Sequence, residues 1–359
     1  MPSTQISAII CTHNRDTYLG AAIDSLLAQD FADGFEVVVV DNGSSDQTRS
    51  VVEQRTKNPR LKYVFEPIIG LSVARNTGAK VACGEILAYL DDDAVASSNW
   101  LQALYSAYQD YPGLAIAGGK VTLLWPDKIE PPRWLSKGLA ANLGAYDLGE
   151  SIIFIDNPGL TPRGLNYSIR RSFLTEIGGF DTHLGRIGKK LLSNEELQMT
   201  ELALQKGWQV AYVPGALVAH NVSPERLKRS WFFSRGWWQG ISECYREQLA
   251  GKAGINQLQL GGERFLRGLY KAIQHFSDPA ERFDKLVYAY GQIGYLNAAI
   301  KGLLEGAGET SAVLGSPQVK QLANSKGSRK QGSREIIRFL IPIAPYPMPP
   351  CPLTPDANS

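Results

Sequence analysis

Three consecutive carboxylates, Asp91-Asp92-Asp93, follow the apolar run Ile86 to Leu90. Carboxylates crowded at the end of a strand repel one another unless a cation or hydrogen-bond donors offset the charge. A divalent metal is the natural counter-charge. An oxygen-rich donor set selects Mg²⁺ or Mn²⁺, ions that bind a few carboxylates together with substrate phosphates. The plainer alternative is a solvated acidic turn ahead of the helix near Trp100. Asp41 closes a second apolar run, Phe35 to Val40, where it can accept hydrogen bonds from a base or ribose, or simply close an Asx turn. Arg75 and Asn76, in GLSVARNTG, belong to a helix start aimed at the same edge. They suit contact with a donor phosphate or a grip on the acidic triplet, and also read as ordinary helix-surface polarity.

These side chains need a scaffold that brings them together. Ile6 to Cys11 is a short run rich in β-branched residues, as in a strand buried on both faces. A helix follows from Asp16 to Gln29. Phe35 to Val40 repeats the strand pattern and ends in the turn cluster Asp41 to Asp46, ahead of a helix from Gln47 to Arg55. Lys62 to Phe65 and Glu85 to Leu90 supply two more strands, with a helix from Val73 to Val81 between them and another from Trp100 to Gln109. Strands alternating with helices in this way predict βαβ units, hence a mainly parallel sheet with right-handed crossovers and a ligand at the strands' carboxyl ends. Thr12 to Arg15, Asp41 to Asp46 and Asp91 to Asp93 fall at those ends, so one cleft should collect them.

Leu114 to Val222 is less regular, with a helix over Asn194 to Lys206 and a strand over Trp208 to Val213. Beyond it the chain reads as helices, Pro224 to Gln248, Gly262 to Phe276 and Glu281 to Leu304. A polar, basic stretch (Gly315 to Ser333) and a proline-rich end (Pro342 to Pro355) follow. The expected organisation is an α/β domain over residues 1–222, a helical extension over 223–310 and a mobile tail over 311–359.

Thr12-His13-Asn14-Arg15, VVVVDNGSSDQT, Gly70 to Asn76 and YLDDDA, in that order over the first third of the chain, resemble the signature of family 2 glycosyltransferases. The resemblance implies a GT-A fold, an inverting mechanism and a nucleoside-diphosphate sugar donor. Thr12, Asn14 and Arg15 would then line the nucleotide pocket, Asp41 would bind the base, and Asp91 and Asp92 would lie by the ribose and phosphates with Arg75 and Asn76. Asp93 would be the metal ligand bridging the diphosphate, assisting departure of the nucleotide. Single displacement also requires a general base. Asn194-Glu195-Glu196-Leu197 matches the family's Glu-Asp pair with Glu196 where aspartate is usual, which leaves Glu195 and Glu196 both open as the base. An acidic first turn suited to the helix dipole is the structural alternative. Gly178-Gly179-Phe180-Asp181 resembles an acceptor-side loop, and Asp181 is the next candidate base. His220, after AYVPGALVAH, stands where some relatives place a metal-binding histidine; a purely structural histidine is the other reading.

Composition narrows the partners. Lys and Arg total 37 against 35 for Asp and Glu, so no global charge draws the chain to nucleic acid. With 44% apolar residues a folded core is expected, and the scattered Cys11, Cys83, Cys244 and Cys351 fit a reducing compartment. No run approaches the roughly 18 apolar residues of a membrane span, and the start lacks the pattern of a leader. The expected location is cytoplasmic, with peripheral contact at the inner face of the plasma membrane through Trp231, Phe232, Trp237 and Trp238, interleaved with arginines. Those aromatics serve equally to pack a helix onto the domain. The reading is therefore a non-processive glycosyltransferase of polysaccharide biosynthesis, acting on a glycan or lipid-linked acceptor. Two alternatives are a non-catalytic sugar-nucleotide or glycan-binding module of the same fold, and a nucleotidyltransferase. The latter normally carries a glycine-rich phosphate loop where this chain has CTHNRDTYL.

Overall fold

The computed structural model describes residues 4–126, 129–182, 195–249 and 254–315. The first part alternates as expected: β1 (Thr4–Thr12), α1 (Asp16–Leu27), β2 (Gly34–Asp41), α2 (Thr48–Glu53), β3 (Leu61–Phe65), α3 (Leu71–Val81), β4 (Ile86–Asp91), β5 (Ala94–Ala96) and α4 (Trp100–Asp110). Val37 to Val40 are wholly buried, because helices cover both faces of a strand that has no polar side. β1 pairs in parallel with β2 on one side and β4 on the other, setting Thr12 opposite Asp41 and Cys11 opposite Asp91. Neighbouring strands lie about 4.8 Å apart, so the polar ends of all three open side by side.

The second half adds what the pattern left irregular: β6 (Leu114–Leu124), α5 (Lys137–Asn142), β7 (Ile153–Phe154), β8 (Asn166–Arg170), α6 (Arg171–Glu176), α7 (Glu195–Gln205) and β9 (Gln209–Asn221). The strand order is β3-β2-β1-β4-β8-β6-β9-β5, and β8 runs antiparallel to both neighbours. The sheet is therefore mixed. β8 has no strand signature in the sequence because polar Asn166 and Ser168 stand in its buried core. Their groups are satisfied internally: Trp100 Nε1 donates to Asn166 Oδ1 at 2.8 Å and Ser168 Oγ donates to the Ala117 carbonyl at 2.8 Å. β9 runs past Pro214 and Gly215, well beyond the expected end at Val213, and its far end pairs with β5 so that His220 faces Ala94.

Three helices close the described chain, α8 (Arg229–Leu249), α9 (Ile255–Gln274) and α10 (Pro279–Gly315). The expected tail boundary at 311 falls inside α10; residues 316–359, Asn194 and Cys351 lie outside the described residues. α8 and α10 approach closely because glycines meet at the crossing: a Cβ on Gly240 would stand 1.9 Å from the Gly291 carbonyl oxygen. The aromatic run of α8 is used inside the protein. Phe232 is fully buried, its ring edge-on to Trp134 at 5.4 Å and packed near Phe283 at 6.2 Å. Trp231, Trp237 and Trp238 are partly buried against the same and a neighbouring apolar cluster. Phe232 is thus unavailable for the expected membrane contact, since its area is already committed to packing. Among the described residues no helix is long and apolar enough to cross a membrane.

Candidate active site

A cleft of about 180 Å³ opens at the carboxyl ends of β1 and β4, lined by Thr12, His13, Arg15, Asn42, Asp91, Asp92 and Asp93 among others. The loop after β1 is set by Asn14, which adopts φ 53°, a left-handed conformation that asparagine tolerates. Its Oδ1 accepts from the Ser45 amide at 2.8 Å and its own amide donates to Ser44 Oγ at 3.0 Å. Asn14 therefore ties two loops together and does not line the cleft. Asp41 is buried, accepting from the Ser44 amide at 2.9 Å and from Tyr63 Oη at 2.8 Å. Burial, followed by this bond to a carboxylate, pushes the Tyr63 phenol up to about 12.

The acidic triplet divides into unlike environments. Asp91 is partly exposed, whereas Asp92 and Asp93 are buried. Burial and then the charge of Asp93 push Asp92 up to about 7. Burial would raise Asp93 as well, but the His220 hydrogen bond and charge with those of Arg226 and Arg15 win, holding it well below the usual carboxylate range. Asp93 Oδ2 accepts from Arg15 Nη2 at 2.9 Å and Arg226 Nη2 at 3.1 Å. Its Oδ1 lies 3.0 Å from His220 Nε2, while His220 Nδ1 lies 2.6 Å from the Leu143 carbonyl oxygen. A carbonyl only accepts, so Nδ1 carries a hydrogen there.

Asp93 Oδ1 and His220 Nε2, hydrogen-bonded at 3.0 Å, are the residues that would hold a cation once that hydrogen is displaced, and a backbone carbonyl on the remote nitrogen is the usual support of a metal-binding imidazole. Carboxylate oxygen plus imidazole nitrogen suits Mn²⁺. Among the described residues no group of three or more His, Cys, Asp or Glu side chains is gathered for a metal. The pair supplies two donors, and a bound diphosphate would have to supply others.

Arg75 and Asn76 lie elsewhere than expected. Arg75 is buried, with Nη2 2.9 Å from Glu196 Oε1, Nη1 3.3 Å from Glu195 Oε1 and Nη2 3.3 Å from the Gly164 carbonyl. Burial opposes its charge, but Glu196, Glu195 and Asp91 together outweigh that and raise its pKa. Asn76 exchanges two 2.9 Å hydrogen bonds with the backbone of Phe180 and so clamps the Gly178 to Asp181 loop. Neither side chain lines the cleft, although Leu71 and Ala74 of the same helix do: Arg75 is bound to the first turn of α7 and the Gly164 carbonyl, and Asn76 to the loop after α6. The glutamates are linked to the triplet through the chain itself. The Asp91 amide bonds to the Leu165 carbonyl at 3.3 Å, and the adjacent Gly164 gives Glu196 its space, since a Cβ there would fall 1.7 Å from Glu196 Oε1. Glu195 is 3% exposed at its side chain and Glu196 is 16%, so Glu196 is the more reachable.

Several contributors stood outside the expected site residues. His13 donates to the Asn42 carbonyl at 2.7 Å, Asn42 holds the loop before α3 through Glu66, Ile68 and Gly70, and Arg226 reaches back six residues to His220. Only Asn42, beside Gly43 in a turn cluster, advertised a structural asparagine.

Residues 7–156 match the family model described as Glycosyl transferase family 2, and residues 86–282 match Glycosyl transferase family group 2. The chain is 27% identical over 254 residues to a glucosyl-dolichyl phosphate glucuronosyltransferase of Haloferax volcanii, spanning 69% of this chain and 79% of that protein. It is 41% identical over 106 residues to a validoxylamine A glucosyltransferase of Streptomyces hygroscopicus subsp. limoneus, spanning 29% of this chain and 23% of that one. In fold it is similar to a mannosyltransferase from Pyrobaculum calidifontis in complex with GDP-Man and Mn²⁺, with a TM-score of 0.52 and 20% identity over 90% of this chain and 79% of that one. The sheet and its flanking helices have the GT-A arrangement.

Proposed function

This chain belongs to glycosyl transferase family 2, and from that premise we propose that it transfers one sugar from a nucleoside-diphosphate sugar to a glycan or lipid-linked acceptor, with inversion and without processive extension. The observation that carries the proposal is the buried Asp93 and His220 pair, 3.0 Å apart, with Asp93 on the wall of a cleft also lined by Thr12, Arg15 and Asp91. Arg15 and Arg226 are charged and within reach of the same point, so they suit a diphosphate's oxygens. Thr12, on the cleft wall, and Asp41, opposite it on β2 though buried and not lining the cleft, are the proposed base-side residues. A divalent cation bound by Asp93 and His220 would neutralise negative charge developing on the departing diphosphate.

Glu196 is the proposed base, with Glu195 the alternative. It takes the proton of the acceptor hydroxyl as that oxygen bonds to the anomeric carbon, while the bond to the diphosphate breaks and its electron pair leaves with the nucleotide. Arg75 fixes the orientation of the carboxylate, and Gly164 leaves room for it. The mannosyltransferase of similar fold binds GDP-Man and Mn²⁺, and the Haloferax relative is named for a dolichyl-phosphate-linked sugar; both support the donor and acceptor classes proposed. Residues 1–222 are the proposed catalytic domain and 223–310 its helical extension.

The test is a donor screen by nucleotide release with and without Mn²⁺, using the wild type, Asp93→Ala and Glu196→Gln. One donor should give Mn²⁺-dependent release that both variants largely lose. Donor binding without turnover for any acceptor would instead assign a binding module. Full turnover in Glu196→Gln with none in Glu195→Gln would move the base by one residue.

A further inference from the structure

The segment Thr161 to Leu165 runs from the proposed base to the acidic triplet. Thr161 Oγ1 donates to the Glu196 carbonyl at 3.3 Å, and the Leu165 carbonyl accepts from the Asp91 amide at 3.3 Å. Arg163 stands between these two anchors, and the proposed transfer gives it no part. A Cβ on the adjacent Gly164 would fall 1.7 Å from Glu196 Oε1. With consecutive Cα atoms about 3.8 Å apart, the Arg163 Cα lies within about 7 Å of that oxygen.

Arg163 differs from the other arginines of the site in its want of a counter-charge. Arg15 and Arg226 reach Asp93 at 2.9 and 3.1 Å, and Arg75 reaches Glu196 at 2.9 Å. Among the described residues, Arg163 Nε is sealed from solvent with no acceptor, whereas its two Nη groups, equally without an acceptor, are not sealed. The guanidinium lies 5.3 Å from the centre of the Tyr146 ring. Tyr146 is itself tied to the start of the segment, its Oη donating to the Leu160 carbonyl at 2.6 Å. A ring face attracts the cation but answers none of its five N–H donors. Burial lowers the pKa of Arg163, with Tyr146 and Glu196 opposing that, and an arginine stays charged at any ordinary pH. A partly buried cation without a carboxylate is costly to keep, and the open end of its planar fork fits two oxygens of a carboxylate or phosphate.

We propose that Arg163 receives a carboxylate or phosphate oxyanion carried by one of the two saccharides that react beside Glu196. The oxyanion belongs either to the transferred sugar, as in a uronate, or to the acceptor near its reacting hydroxyl. Its part in transfer rests on the function proposed above; the anion site as such does not.

Saturation-transfer NMR on the full chain tests the site without turnover, with glucuronate, glucose 6-phosphate and glucose as probes and melting temperature as the check on folding. The variants are Arg163→Gln and Arg163→Met; both remove the charge, and methionine keeps an apolar stem against Tyr146. Wild type should bind at least one of the anionic sugars about tenfold or more tightly than glucose. The variants, relieved of an unpaired cation, should melt no lower than wild type and bind all three sugars alike. Kinetics then identifies the source. A wild-type preference for a uronate donor over its neutral counterpart, lost in the variants, puts the oxyanion on the transferred sugar. A KM raised only for acceptors that bear a carboxylate or phosphate puts it on the acceptor. Anion binding without nucleotide release from any donor counts against the donor reading and leaves the anion site standing. The inference is overturned if glucose binds wild type as tightly as the anionic sugars do, or if the difference survives in either folded variant. A lowered melting temperature with the difference unchanged overturns it too, because Arg163 then has no task beyond stacking on Tyr146.

Discussion

Gly164, Glu196 and Arg75 make a packing unit in which no atom has slack. A methyl group at position 164 meets Glu196 Oε1 and, at 2.5 Å, Arg75 Nη2; neither can retreat, because Arg75 is buried and bound on three sides. Gly164→Ala should therefore lower kcat by about 10-fold to 100-fold, consistent with the cost of misplacing a catalytic group, while leaving nucleotide affinity near wild type by titration. Equal losses in kcat and nucleotide affinity would refute the assignment of Glu196 to the acceptor side. Glu196→Gln removes the basic oxygen but keeps the shape, and a loss of about 10²-fold to 10⁴-fold in kcat is expected. Cys11 offers a chemical probe of the same neighbourhood. Burial, then the charges of Asp91 and Asp92 against that of Arg75, push its thiol up to about 12. Thiolate is the reactive form, so iodoacetamide labelling of the native protein, followed by peptide mass, should stay slow at Cys11 from pH 7 to about pH 10. In denaturant, where the ordinary value near 8.5 returns, it should accelerate.

At the scale of elements, two clamps decide geometry. Asn76 holds the turn after α6 by a pair of hydrogen bonds, and Gly179 accepts φ 97° beneath it, where a Cβ would lie 2.8 Å from Asn76 Oδ1. Asn76→Ala leaves a backbone amide and carbonyl without their partner, at a cost of about 1–3 kcal/mol for each group left buried. Its urea midpoint should drop, and the acceptor KM should rise more than the donor KM. The α8 and α10 crossing depends on small residues in the same way. Gly240→Ala forces a methyl against the Gly291 carbonyl, and overpacking of this type costs about 1–3 kcal/mol. An unchanged unfolding midpoint would mean that the two helices separate more easily than their contacts suggest.

For the whole molecule, the helical extension is joined to the sheet through aromatic packing. Trp134, from the loop ahead of α5, lies 4.9 Å from Phe283 and 5.4 Å from Phe232, and Ser136 Oγ donates to Asp284 Oδ1 at 3.2 Å. Phe232→Ala should cost about 3–5 kcal/mol, read as a lowered thermal midpoint. The same variant should leave flotation with anionic liposomes unchanged, since a wholly buried ring offers nothing to lipid.

The apolar runs and the spacing of acidic clusters were enough to predict β1 to β4, their helices and the cleft at their ends. Strands buried on both faces have to be apolar throughout, and turn residues have to follow them, so both are written locally. The pairing of Asp93 with His220 was legible only as two separate candidates 127 positions apart; what joins them is β9 continuing beyond Pro214 to lie against β5. β8 was hidden because its core positions are polar and are satisfied by Trp100 and Ala117, partners that no local pattern names. Arg75 and Asn76 were read by their proximity in sequence to the cleft, yet the fold turns both toward α7 and the loop before it. Side-chain direction at a helix start depends on which charges and carbonyls the rest of the chain delivers, and Glu195, Glu196 and Phe180 arrive from more than 100 residues away.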